Sequence, residues 1–175
     1  MLKSLITALA VFAAFSTVQA QNEAASPTDA QIAMIAVTAD TVDIDVGKMA
    51  AQKTSNRAVK EFAETMVRDH TAVNVKATAL AKKLGVTPQE SDTSKSLKAD
   101  GEKKIAELKA MTGAEFDKAY IDNEVSYHEA VLGVLDKTLI PNTRNAELKM
   151  LLESARPIFV SHLAHAKKLQ ASLSK

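Results

Sequence analysis

Apolar residues in this 175-residue chain recur in alternating steps of three and four, over stretches too long for strands. Ile32, Ile35, Ala39, Val42, Val46 and Met49 form a first stripe, and Val59, Phe62, Met66, Val73, Ala77, Leu80 and Leu84 a second. Ile121, Val131, Leu135 and Leu139 make the third. Leu148, Leu152, Ala155, Phe159, Ala166, Leu169 and Leu173 make the fourth. This spacing places each set on one face of an α-helix. A helix with a single apolar face is not stable by itself, so four such faces must be buried against one another. The predicted fold class is all-α.

Punctuation residues mark the ends. Ser26 is the expected N-cap of the first helix, with Pro27 in the first turn and Asp29 near the positive end of the dipole, giving a helix over 28–53. Thr54, Ser55 and Asn56 end it and cap a second over 56–84, which Gly85 closes in a left-handed conformation. Thr112, Gly113, Ala114 and Glu115 read as a capping box opening a third helix over 114–139, ended by Pro141; the fourth covers 144–173. Short connections make helices 1–2 and 3–4 antiparallel hairpins. Residues 86–112 are a much longer link, whose Leu97, Ile105, Leu108 and Met111 read as a weaker helix interrupted by Gly101. One long crossover between helices 2 and 3 predicts a ferritin-like four-helix bundle over residues 28–173.

Residues 1–20 have another character. Lys3 precedes an apolar run from Leu5 to Phe15, and Val18-Gln19-Ala20 offers small residues where a signal peptidase reads. The expectation is a signal peptide cleaved near Ala20 and a periplasmic or secreted protein. The run is too short for a permanent span, and no transmembrane segment is expected. Lys3 is the only charge in that segment, leaving 21 of the 22 basic residues against 21 acidic ones. Without net positive charge, and with aromatic content at 4%, nucleic acid is not an expected partner. The absence of Cys excludes disulfides, thiolate metal sites and thiol nucleophiles.

The inward stripes are broken at few positions. His70 interrupts the second; Glu124 and His128 the third, one turn apart; His162 the fourth, with His165 three residues on. Asp43 shares a face with Ala39 and Val46 on the first helix, and Asp40 and Asp45 nearby read as signs that this helix tolerates surface acids. Asp43, His70, Glu124, His128 and His162 each lie within about four residues of their own helix midpoints, about 6 Å at helical rise. Midpoints of helices packed side by side meet at one level, so these groups are expected to gather in one central layer. Imidazole with carboxylate suits a transition-metal ion such as iron, zinc or copper. His70, His128 and His162 are the expected nitrogen ligands, Glu124 an oxygen ligand or its supporting partner, and Asp43 and His165 outer candidates. Two other readings stay open: a pH-sensitive core, and histidines that are simply hydrogen-bonded core residues. Tyr120 and Tyr127 read as packing aromatics and the Met residues as gap fillers. Pro157 implies either a kink that aims His162 or a break into two helices.

Met66-Val67-Arg68-Asp69-His70-Thr71, Phe116-Asp117-Lys118-Ala119-Tyr120-Ile121, His128, Arg156-Pro157 and His162-Leu163 together resemble an exported bacterial family known as domain of unknown function 4142. Its members are placed among ferritin-like bundles and often labelled outer membrane proteins. The resemblance implies this fold and export for residues 28 to 173. The chain contains no Glu-x-x-His, the signature of di-iron bundles. Its candidate set is richer in His and poorer in carboxylate, so a di-iron oxidase or storage role is not indicated. The expected function is an exported bundle holding a transition metal. The alternative is a non-catalytic or stress-related envelope protein acting through a protein partner or as a homodimer, with structural histidines. Catalysis would require an open metal position, which spacing does not reveal.

Overall fold

A computed structural model describes residues 26–174; the signal-peptide expectation lies outside them. The described chain is an all-α bundle with no strand. Its long helices are α1 (Asp29–Lys53), α2 (Arg57–Leu84), α3 (Asp92–Ala110), α4 (Gly113–Val134) and α6 (Ala146–Leu173). Between the last two, the helix widens into a π-turn over Leu135–Leu139 and ends in the single turn α5 (Ile140–Asn142). None of the described helices is long and apolar enough to cross a membrane.

Local chemistry explains most ends. α1 is capped by Thr28 rather than Ser26: its hydroxyl accepts from the Gln31 N–H while the Gln31 side chain accepts from the Thr28 N–H. The single residue between the expected and observed caps is Pro27, which lies outside the helix. Asn56 and Asn145 cap α2 and α6, each accepting two backbone N–H groups. Gly85 closes α2 at φ 64°, where a side chain would be strained. The capping box expected at Thr112 is not made; Thr112 precedes α4 without a side-chain bond. Asp29 accepts from the Arg144 and Asn145 N–H groups at 2.8 and 2.9 Å and ties the α5–α6 turn to the start of α1.

The largest departure from expectation is α3. The crossover is not a weak, interrupted helix but 19 continuous residues capped by Ser91, and Gly101 lies buried inside it. Gly101 is there for contact: a Cβ at this position would stand 2.7 Å from Val42 Cγ1 of α1. Pro157 likewise breaks nothing, since α6 runs through it. Pro157 and Glu153 are both exposed, so the hydrogen bond that proline cannot make is missing from the outer face of α6.

Packing makes a chain of neighbours: α1 lies along α2, α2 against α6, and α6 along α4. α1 and α4 barely meet, and α3, packed on α1, lies over that seam. The apolar core falls into two clusters. One gathers Val46, Phe62, Met66, Phe116, Ile121 and Ala166. The other gathers Ile32, Ile35, Val73, Leu135, Leu152 and Phe159. Each of α1, α2, α4 and α6 runs from one cluster to the other, and between the clusters each contributes polar side chains.

Candidate metal centre

That intervening layer holds Asp40 and Asp43 from α1, His70 from α2, Glu124 and His128 from α4, and His162 from α6, all buried. The ring centroids of the three histidines are 5.2 to 5.6 Å apart. Phe159 stacks on His70 at 4.9 Å and closes the layer toward its own cluster. Burying this many ionisable groups between two apolar clusters costs several kcal/mol per charge unless each finds compensation. The compensation on the outer side is complete; on the inner side it is not.

Each imidazole has one nitrogen engaged. His70 Nδ1 donates to Asp40 Oδ1 at 2.7 Å. His128 Nδ1 donates to the Glu124 carbonyl at 3.0 Å, one turn back on its own helix. His162 Nε2 donates to Asp69 Oδ2 at 3.0 Å across the α2–α6 contact. A carbonyl and carboxylates accept, so the proton of each neutral ring is placed outward and the opposite nitrogen is left as a lone pair. Those opposite nitrogens, His70 Nε2, His128 Nε2 and His162 Nδ1, are buried with no hydrogen-bond partner. So are both oxygens of Asp43 and Glu124 Oε2. Asp43 Oδ2 stands 3.1 Å from His70 Nε2 and 3.6 Å from His128 Nε2; the shorter contact lacks the alignment of a hydrogen bond, so it counts as charge proximity.

Two groups of candidate ligand atoms result, each with members within 4.8 Å of one another: His70, His128 and His162, and Asp43, Glu124 and His128. They share His128. One ion can bridge such a spacing once the side chains draw in to bonds of about 2.0–2.2 Å. The outer hydrogen bonds are those that orient a ligating histidine and set its tautomer.

Ionisation follows from the same geometry. Burial opposes a charge on His70, but Asp43 and Asp40 outweigh it and hold the imidazole up to about 10. Burial, aided by the charge on His70, pushes His128 down to about 4. Burial also lowers His162, against the pull of Asp69. Burial, and next the charge of Asp43, raises Glu124 well above its usual range. Asp43 itself is lowered, because His70 overcomes the cost of its burial. His128 and His162 are therefore neutral and ready to ligate at pH 7, whereas His70 is held protonated by Asp43 and Asp40 and offers its Nε2 lone pair only by giving up that proton to an incoming cation.

Of the six candidates from the sequence, five meet in this layer: Asp43, His70, Glu124, His128 and His162. His165 does not. It is exposed, with its ring edge-on to Phe62 at 5.1 Å. The three-residue step from His162 turns it by about 300°, which is enough at this helix crossing to carry it past the layer to the surface. Two participants were missed. Asp40 reads as a surface acid but is buried against His70; its place one turn before Asp43 was the available signal. Asp69, next to His70 in sequence, points toward α6 instead of inward, and only the packing of α2 on α6 gives it a role.

Fold and layer define an all-α bundle with a buried His/Asp/Glu group able to hold a metal. The chain belongs to the family described as Domain of unknown function (DUF4142), whose family model matches residues 14–169. Neither the curated proteins nor the solved structures contain a match to it.

Proposed function

We propose that this protein binds one transition-metal ion in the layer between its two apolar clusters, as an exported protein of the bacterial envelope. His70 Nε2, His128 Nε2 and His162 Nδ1 supply nitrogen; Asp43 supplies oxygen, and Glu124 is the fifth donor within reach. The observation that carries this reading is the set of orphaned atoms. Three imidazoles with their outer nitrogens satisfied and their inner ones bare, facing unpartnered carboxylate oxygens, leave a buried cost that a cation removes. Histidines kept only for structure would have both nitrogens satisfied or one exposed. Three nitrogens with one or two carboxylates suit iron, zinc or copper. The His-rich set, without Glu-x-x-His, argues against a paired-iron centre.

Elemental analysis of protein purified after export, with no chelator and no added metal, tests the reading. About one equivalent of a single metal is expected, lost in His128→Ala and in His162→Ala. A ligand that binds only the folded state also raises its melting temperature. Metal-free protein whose melting temperature ignores added zinc, copper and iron would refute the proposal.

A further inference from the structure

Each buried imidazole is held from outside, but only one of the three holders touches solvent. Asp40, which accepts from His70, has a side chain only 4% exposed, and His128 is held by a backbone carbonyl of its own helix. Asp69, which accepts from His162 Nε2 at 3.0 Å, is 27% exposed. Its other oxygen, Oδ1, accepts from Arg68 Nε at 2.9 Å, and that guanidinium lies in solvent. One carboxylate therefore touches the layer with one oxygen and a surface cation with the other. His162 is built in the same two-sided way: Nε2 meets Asp69, while Nδ1 is buried and bare.

We propose that a divalent cation reaches the buried layer between α2 and α6, captured at Asp69 and handed inward by His162. The inference rests on the metal reading and adds to it a route and the residues that govern its speed. A doubly charged ion crosses a protein wall only where donor atoms replace the water it sheds. Asp69 and His162 supply an oxygen and then a nitrogen, in succession from the surface to the layer. The outer oxygen already holds a cation, the Arg68 guanidinium. An exposed pair of this kind is weak, so an ion of higher charge displaces it. The opposite side of the bundle offers no such succession. Under α3, the seam between α1 and α4 holds a cavity of about 260 Å³ walled by Val42, Val46, Leu97, Val131 and Val134, and the Asp43 and Glu124 side chains are buried beyond it. Valine and leucine give an ion nothing in place of water, and the two charges that α3 adds to the lining, Asp100 and Lys104, are of opposite sign.

The test is the rate at which the full, metal-free protein takes up cobalt(II), a coloured stand-in for zinc, followed by its visible absorption; release is timed separately by transfer to excess chelator. Asp69→Asn keeps an acceptor for His162 but removes the charge at the entrance, and loading is expected to slow about tenfold or more. Arg68→Gln removes the competing cation, and loading is expected to quicken about two- to threefold. Arg68 is exposed, so this variant is expected to keep the melting temperature of the metal-free protein. Asp45→Asn, which removes an exposed acid from α1, is expected to load at the wild-type rate. A residue that only orients His162 acts on the other rate: Asp69→Asn would then lose affinity through faster release, with loading unchanged. That pattern, slower loading in Arg68→Gln, or equal slowing in Asp45→Asn would each overturn the proposal. Equilibrium content separates the two readings. Protein that binds no cobalt, zinc, copper or iron overturns both, and full uptake at a rate indifferent to Asp69 and Arg68 overturns only this one.

Discussion

Asp40 accepts the His70 Nδ1 hydrogen bond at 2.7 Å with both side chains buried, and this contact decides which nitrogen of His70 faces the centre of the layer. Asp40 is not among the atoms that face a prospective ion. Asp40→Asn keeps the size of the side chain but weakens the acceptor and allows the ring to turn. Metal affinity is expected to fall by about 10–100-fold, measured by competition with a chromophoric chelator. The ligands themselves remain, so about one equivalent still binds at saturation. Unchanged affinity would remove Asp40 from the site.

His162 and His165 stand three residues apart on α6, and the structure buries the first in the layer while leaving the second exposed. His165→Ala is expected to leave metal stoichiometry and affinity as they are, because the ring is exposed against Phe62. His162→Ala is expected to abolish high-affinity binding. Elemental analysis of the two variants side by side is sufficient, and equal losses would contradict the assigned geometry.

Metal-free protein should be most stable near neutral pH. His70 is raised, so its contribution is fully present below the ordinary value of 6.5 and is lost as pH rises through about 10. His128 is depressed, so it costs nothing above 6.5 and destabilises the fold increasingly as pH falls from there to about 4. Urea midpoints measured from pH 4 to pH 10 are expected to fall on both sides, and His128→Gln to flatten the acid limb. A profile rising steadily in either direction would show that these rings do not govern it.

Gly101→Ala sets two effects against each other. Alanine in mid-helix is favoured by about 0.5–1 kcal/mol over glycine. The added Cβ, however, would lie 2.7 Å from one methyl of Val42 and 2.8 Å from the other, and such overpacking costs about 1–3 kcal/mol. Net destabilisation is expected in urea denaturation, with partial recovery in Gly101→Ala combined with Val42→Ala. A stabilised single variant would mean that α3 does not lie tightly on α1.

Periodicity alone carried the all-α fold, because a three–four spacing has one local solution and an apolar face has one use. The level at which the polar residues meet was also legible: Asp43, His70, Glu124, His128 and His162 interrupt their stripes near the middle of each helix. Identity misled in other places. Gly101 reads as a break because glycine is a poor helix former, yet it marks a close approach to Val42, a residue 59 positions away. Asp40 reads as solvated because most Asp are, and its burial depends on a histidine from another helix.

The amino-acid sequence by itself determined the helices, their apolar faces and the group of polar residues that must lie between them, since these depend on interactions within a few residues along the chain. Tertiary structure alone decided which nitrogen of each imidazole is satisfied, that His165 misses the layer, and that Asp69 joins His162 to the surface. Those outcomes depend on distances between helices far apart in sequence, where a shift of an ångström or two separates a hydrogen bond from a bare, buried atom.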